Sequence, residues 1–536
     1  MAPHGHHLAS VMIWLRRPSI HGLWIVGLLS LGALVRWHNV GAQSLWLDEL
    51  GQVVVARAEG ASFFEGVRFH AGAAPLDYVG TKIAVDLLGF STVAARIWPF
   101  LMGVLTILLV ERLASEVSGS RRAGLAAACL AIPSAFLVFY SQEARFYSLS
   151  VATTVAALWT FARAERLRRW RDWVIFAGVA TAALYTHYAF ALLFVLMGAW
   201  LVLSHSAAWI RTGRTTAVLR DQARQLVPFA LVTLTVALAF LPWYLFATRG
   251  QLASSYGFPP LADFTLQRAA KVVLTLLTGS PRIAPPSGRP AADWLLFTGI
   301  LVLALLGLWR IVTRRPLVAG VMLSFAVLLI PMTWVAAQRT HYFLSERHVI
   351  DMVPVVLILA ACGVATILDR ADGLPGRLPR VAVQVAVTCA LVASLALLSA
   401  PTLGRVYAGE FFPREDWQGA AGFVRSTACP GGRVYTNLGA AYGYGIGLYA
   451  PELKGQIAYL QEENANEFLI DVLRRYPIGH TDIIVVFRER PGVYVPGRGT
   501  IDTISDYLAG QGFGYRTFTP RIRVFVPFAG CPLPTS

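Results

Sequence analysis

The chain has 536 residues, 56% of them hydrophobic and only 14% charged, with a mean hydropathy of +0.57 and a formal net charge of +16. A soluble globule of this composition would expose far too much apolar surface, so the composition points to a polytopic α-helical membrane protein. The positive charge follows topology, as shown next, and gives little support to a nucleic-acid partner.

The first residues hold His4, His6 and His7, which read as a disordered end rather than a metal site. Arg16-Arg17, an apolar run and Val40-Gly41-Ala42 have some features of a signal peptide. An uncleaved first span is the preferred reading, because residues 43–49 immediately after it would otherwise be a free mature terminus. Apolar runs fall near residues 20–35, 97–110, 123–140, 148–162, 173–186, 188–204, 226–247, 293–309, 316–335, 349–368 and 381–400, giving eleven expected spans. The pair 173–186 and 188–204 could instead be one long tilted helix.

With a cytoplasmic N-terminus, the inner segments 1–19, 110–122, 163–172, 205–225, 309–315 and 369–380 carry 20 Lys and Arg in 82 residues. The outer loops 36–96, 141–147, 247–292 and 336–348 carry 13 in 127. This is the asymmetry of the positive-inside rule. The arginines between Arg163 and Arg171 are read as facing anionic lipid heads. In the outer loops, Phe63 to Leu88 is expected to lie along the interface as short amphipathic helices. Residues 247–292 hold Pro259-Pro260 and Pro285-Pro286 around a helical stretch at Leu266 to Leu277, and could act as a lid or as an inert spacer.

An odd span count leaves the tail outside. Residues 1–400 form the expected membrane domain, and 401–536, richer in Asp, Asn, Gly and Tyr, a small soluble α/β domain. Its expected helices are Glu415 to Arg425 and Thr503 to Gln511; its expected strands are Arg433 to Asn437, Asp482 to Arg488 and Ile522 to Phe528. Cys129, Cys362 and Cys389 fall within spans and read as packing residues. Cys429 and Cys531 flank the tail domain and are expected to form a disulfide. No compact metal-binding motif occurs.

Several motifs stand in the outer loops: Ser44-Leu45-Trp46-Leu47-Asp48-Glu49, Pro75-Leu76-Asp77-Tyr78, Ala95-Arg96-Ile97-Trp98-Pro99, Ser141 to Tyr147, Tyr185-Thr186-His187-Tyr188 and Ser345-Glu346-Arg347-His348. Over roughly residues 20–370 this order resembles the GT-C glycosyltransferases, in the bacterial branch related to protein O-mannosyltransferases, lipid A aminoarabinose transferases and envelope galacturonosyl and mannosyl transferases. The resemblance implies a GT-C fold and an inverting transfer of sugar from a polyprenyl-phosphate donor to a hydroxyl or amine of a lipid, glycan or protein acceptor. It also implies an active site on the outer face of a bacterial inner membrane. Two departures bear on the substrate: Ala73-Ala74-Pro75-Leu76-Asp77-Tyr78 stands where the family often has His-Pro-Pro-Leu-Tyr-Tyr, and His348 stands where Tyr is common.

A hydroxyl needs a base to become a good nucleophile, and Asp48 resembles the family's catalytic aspartate. Its alternative role is to cap the helix that begins there. Glu49 could bind a sugar or acceptor group, or pair with an arginine. By resemblance Glu143 orients acceptor or sugar beside Asp48, while Arg145 and Tyr147 face phosphate; a Glu143–Arg145 surface pair is the alternative. Fixed cations should stabilise the departing lipid phosphate, and Lys82, Arg145, Lys271, Arg339 and Arg347 are available. Arg347 could instead pair with Asp351 at i,i+4, and the lysines could snorkel. His187 and Tyr188 are candidates for contacting the donor, with a structurally satisfied imidazole as the other reading of His187. A divalent metal held by the outer carboxylates is possible. A lipid-linked sugar transporter and an inactive scaffold of the same fold are the rival functions; the clustering of ionisable groups at one face disfavours the first and the intact Asp48 and Glu143 the second.

Overall fold

The structure is a computed structural model that describes residues 20–69, 74–212, 215–253, 265–279, 291–341, 345–373, 375–410, 414–436, 444–460, 473–476, 478–479, 481–487, 501–519 and 522–528. The His4–His7 cluster, both proline pairs of the 247–292 loop and Cys531 lie outside the described residues. All eleven apolar runs fall in helices. Seven helices among the described residues are long and apolar enough to cross a bilayer, or eight if the bent pair Arg121–Ala131 and Ala135–Ser141 is one span. The other three runs lie in Tyr147–Leu167, Trp170–Leu184 and Arg377–Tyr407. Trp170–Leu184 has 15 residues and rises about 22 Å, short of a ~30 Å hydrocarbon core. The 173–204 block is therefore two helices, broken at Tyr185–Ala189, and not one long tilted one.

Local chemistry explains the breaks. Thr92–Ser118 begins where the Ser91 hydroxyl accepts from Ala94 N and ends where Gly119 turns left-handed at φ 65°. The 123–140 run bends by 66° at Pro133, which supplies no N–H to continue the helix. The carbonyls freed there are met by Arg36 of the first span, whose wholly buried guanidinium donates to Ala131 O at 3.0 Å and Ile132 O at 3.4 Å.

The helices share one apolar core running from Leu109 to Val406. Its tightest crossing joins Ala291–Arg314 to Met352–Ala371. There a Cβ on Gly307 would stand 1.7 Å from Leu359 O, and one on Gly363 2.0 Å from Leu303 O. Small residues permit this approach of two backbones, as in membrane helix pairs generally.

Charge divides between the two ends of the bundle. At one end Arg166 and Arg315 hold Glu116, Arg310 and Arg122 hold Asp369, and Arg163 holds Asp172. These are the segments that the charge count assigns to the inner side. The other end carries the helices Leu47–Ala56, Ala61–Phe69 and Pro75–Leu88, the last two over the stretch expected to form short helices.

Past Tyr407 the chain forms a five-stranded sheet in the order β2-β1-β3-β5-β4, with β1 Val434–Thr436, β2 Ile457–Tyr459, β3 Ile483–Phe487, β4 Phe513–Thr519 and β5 Ile522–Pro527. β1 is parallel to β2 and β3, and β5 is antiparallel to β3 and β4. The helices Trp417–Thr427 and Ile501–Gly510 lie within two residues of their expected bounds. Cys429 is disulfide-bonded, and Cys129 and Cys362 are free thiols.

Replacing Gly363 with Leu should force the two central helices apart and lower the thermal midpoint of detergent-solubilised protein by several degrees, through an overpacking cost of at least ~1–3 kcal/mol. Gly178, with open space around its Cβ position, is the control and should tolerate Leu.

Candidate active site

Helix Leu47–Ala56 begins at Trp46, whose N–H donates to the Glu49 carboxylate at 3.2 Å. Asp48 therefore sits inside the first turn and is not the cap. Adjacent residues on a helix point about 100° apart, and the two acids have opposite fates. Glu49 is wholly buried and bidentate with Arg96, at 2.8 and 2.7 Å. It also accepts from Ala144 N at 2.8 Å. Burial opposes its ionisation, but the guanidinia of Arg96 and Arg414 outweigh that and hold the carboxyl below its usual range. Of the two readings of Glu49, the structure shows the arginine pair; it does not face open space.

Asp48 remains 27% exposed and pairs with Arg347 at 3.1 Å. Arg347 lies on the short 3₁₀ turn Glu346–Val349, with its guanidinium over Trp46 and Tyr147 at 5.1 and 5.8 Å. Its alternative partner, Asp351, instead accepts from the Ser150 hydroxyl at 2.9 and 3.1 Å. Glu143 does not pair with Arg145: its Oε2 stands 4.0 Å from Arg414, and its buried Oε1 has no hydrogen-bond partner. Burial pushes its pKa up to about 7 against the pull of Arg414.

Arg414 is the residue sequence reasoning missed. It lies beyond the last apolar run, is buried, donates to Gln142 O at 3.0 Å and stands 3.9 Å from Glu49. The tail reaches the site through neighbouring contacts too: Leu47 N donates to Glu415, Leu45 N to the Tyr449 hydroxyl and Gln418 N to Ser44 Oγ. Nothing in the sequence around Arg414 marked it, since its partners Glu49, Gln142 and Glu143 lie far earlier in the chain.

Asp77, the extra acid of the departing motif, is a second addition. It is buried, accepts from Gln52 at 2.6 Å and leaves Oδ1 unpartnered. Burial raises its pKa to about 7, with Arg145 acting in opposition. Arg145 reaches Gln52 at 3.5 Å and lies over Phe146.

Beside this cluster opens a cavity of about 510 Å³. Its wall is mostly apolar, including Leu192, Phe240 and Met332, and its polar end holds Arg145, Tyr147, His187 and His348. The His187 ring stacks on Phe146 at 4.8 Å with Nδ1 unpartnered, so that nitrogen is not satisfied by a backbone carbonyl. Loss of hydration lowers its pKa to about 4. Tyr188 also lines the cavity, with its hydroxyl fixed between Trp243 and Gln251 at 2.9 and 2.8 Å.

Three of the cations expected to meet phosphate lie elsewhere. Lys82 donates to Ala56 O and Ala58 O at 3.2 Å and pairs with Asp86, so it caps the end of helix Leu47–Ala56. Lysine at a helix C-terminus answers the free carbonyls there. Lys271 is half-buried on Leu266–Thr278, and Arg339 is exposed near the end of its span; neither joins the Asp48 cluster. Among the described residues no three His, Cys, Asp or Glu side chains are grouped to hold a metal, and Asp48, Glu49 and Glu143 each face an arginine.

The family model for dolichyl-phosphate-mannose-protein mannosyltransferases matches residues 74–246. Among solved structures, ArnT from Cupriavidus metallidurans bound to undecaprenyl phosphate superposes with a TM-score of 0.55 at 13% identity, covering 96% of this chain and 100% of that one. Its apo state gives a TM-score of 0.59 over the same shares. Archaeal oligosaccharyltransferase AglB from Archaeoglobus fulgidus, in complex with an inhibitory peptide and a dolichol-phosphate, gives 0.54 at 13% identity over 86% of this chain and 69% of that one. No relative is found among curated proteins. The chain has the fold of these structures and, by its long apolar helices, is a multi-pass membrane protein.

Two predictions follow from the buried groups. Arg96→Ala strands the Glu49 charge in the core and should cost about 3–5 kcal/mol, seen as a lowered thermal midpoint and poor recovery of folded protein. The second concerns pH. Glu143 and Asp77 keep their protons up to about pH 7 when folded and lose them near pH 4 when unfolded. Over that window the folded state binds more protons, so their contribution to stability is complete at the acid end and is lost as pH rises to 7. His187 has the opposite sense between about pH 4 and 6.5. Thermal midpoints measured from pH 5 to 8 should therefore fall less steeply in Glu143→Gln than in the parent, and more steeply in His187→Asn.

Proposed function

We propose that this protein transfers a sugar from a polyprenyl-phosphate donor to a hydroxyl of a cell-envelope acceptor, with Asp48 as general base. The observation that carries the reading is the partly exposed Asp48–Arg347 pair beside a lipid-compatible cavity with Arg145, Tyr147 and His187 at one end. Undecaprenyl phosphate and dolichol-phosphate bound to the similar structures support a donor of this class.

In this reading the lipid chain lies along the apolar wall and its phosphate meets Arg145 and Arg347. A phosphate oxygen competes with Asp48 for Arg347, which frees the carboxylate to accept the acceptor proton. The acceptor oxygen then bonds to the anomeric carbon as the bond from that carbon to the phosphate oxygen breaks. The leaving polyprenyl phosphate takes the electron pair, and inversion follows from attack on the opposite face. The guanidinia offset the charge that grows on the leaving group. Glu143 sets the local field and orients the acceptor, held in place by Arg414. No step is routed through a metal, since the carboxylates face arginines. We further read residues 401–536 as an outer domain, and assign the protein to a bacterial inner membrane with its N-terminus cytoplasmic and Asp48 periplasmic.

Mass spectrometry of envelope glycolipids and glycoproteins from a deletion strain should show one sugar missing. The parent gene should restore it, whereas Asp48→Asn should transfer sugar about 10²–10⁴-fold more slowly while inserting normally and still binding polyprenyl phosphate. Parental turnover in Asp48→Asn would remove the assignment of the base, and an unchanged envelope in the deletion strain would remove the function.

A further inference from the structure

We propose that the bundle end remote from Asp48 carries a second site, which binds a phosphate-bearing anionic headgroup. A cavity of about 390 Å³ lies there, lined by Glu116, Gly119, Arg121, Arg166, Arg314 and Arg315. Four guanidinia thus surround one carboxylate. Glu116 is engaged by Arg166 and by Arg315 at 3.2 Å, and Arg315 also reaches Glu165 at 3.5 Å. Arg121 and Arg314 have no carboxylate partner among the described residues, so the cavity keeps an excess of positive charge.

The backbone is arranged to the same end. Gly119 turns at φ 65°, and Arg314 Nη1 stands 3.3 Å from where its Cβ would be, donating to Ser118 O at 2.7 Å. Helix Arg121–Ala131 starts at the cavity wall, and its N-cap Ser120 makes no side-chain cap bond. The partial positive charge of that helix start adds to the arginines. Guanidinium forks match phosphate oxygens in pairs, and several of them around one cavity suit a group that offers several anionic oxygens.

The setting suits a lipid. Trp309 and Val312, within two turns before Arg314, are 57% and 48% exposed, and Arg370 lies over the Trp309 ring at 5.6 Å. An exposed aromatic with cations at the end of an apolar helix is the pattern of a membrane interface, where anionic heads meet basic pockets. The same chemistry would also take soluble phosphate.

The test uses full-length protein in detergent, with native mass spectrometry after exposure to phosphatidylglycerol, cardiolipin or phosphatidylcholine, and thermal shift with inorganic phosphate. Anionic lipids should be retained over phosphatidylcholine, and Arg121→Gln with Arg314→Gln should weaken retention roughly tenfold or more. Arg339→Gln, at the opposite end, should not. Arg121→Gln alone, a change at an exposed side chain, should give part of the loss with an unchanged thermal midpoint. Stabilisation by inorganic phosphate that the double variant abolishes, without lipid preference, would assign the site to a soluble anion. Equal retention of all three lipids with no phosphate effect, or parental binding by the double variant, overturns the proposal. None of these readouts depends on sugar transfer.

Discussion

The Glu49–Arg96 pair is the constraint on which the active end depends. Arg96 uses its remaining donors on Val40 O, Gln43 O and Ser44 O, and Glu49 uses its remaining capacity on Trp46 N and Ala144 N. One ion pair thereby fixes the loop after the first span, the helix carrying Asp48, the second span and the turn carrying Glu143. Desolvation cancels much of the attraction in such a pair, so its value lies less in net stability than in the single geometry that satisfies every donor and acceptor.

That geometry separates two neighbouring acids. Both stand in the first turn of one helix, where either would favour the helix dipole. Glu49 turns inward onto a wholly buried guanidinium, whereas Asp48 stays 27% exposed in its pair with Arg347. The sequence displayed the pair Asp48-Glu49 but not which member would turn inward, because that choice depends on Arg96, 47 residues further along.

Much else was legible. Among the described residues the apolar runs located every long helix, since a span must satisfy its own backbone and cover itself in hydrocarbon. The outer motifs marked the loops that converge around Asp48. The misses share a physical cause, which is dependence on contacts distant in sequence. Lys82 drew notice as one of three lysines and proved to be bound to the end of a neighbouring helix. Arg414 drew none and proved to be buried between two carboxylates. In the sheet, β2 has three residues, too few to show a period. β4 reads Phe-Gly-Tyr-Arg-Thr-Phe-Thr, in which the alternation begun by Phe513 and Tyr515 breaks at the register shift between Thr517 and Thr519.

Arg414 also ties the chain beyond Tyr407 to the Asp48 cluster. Its guanidinium lies over Phe139 at 4.9 Å and between Glu49 and Glu143, so part of the field felt by Glu143 is supplied from beyond the last span. Leu45, Leu50 and Ala144 pack in one apolar cluster with Trp417 and Ala420. The tail and the Asp48 loop are therefore one packed unit. A displacement of the tail would withdraw a positive charge from two buried acids, and the cheapest response of an isolated buried carboxyl is to take up a proton. The protonation of Glu143 is thus coupled to how the tail sits on the bundle.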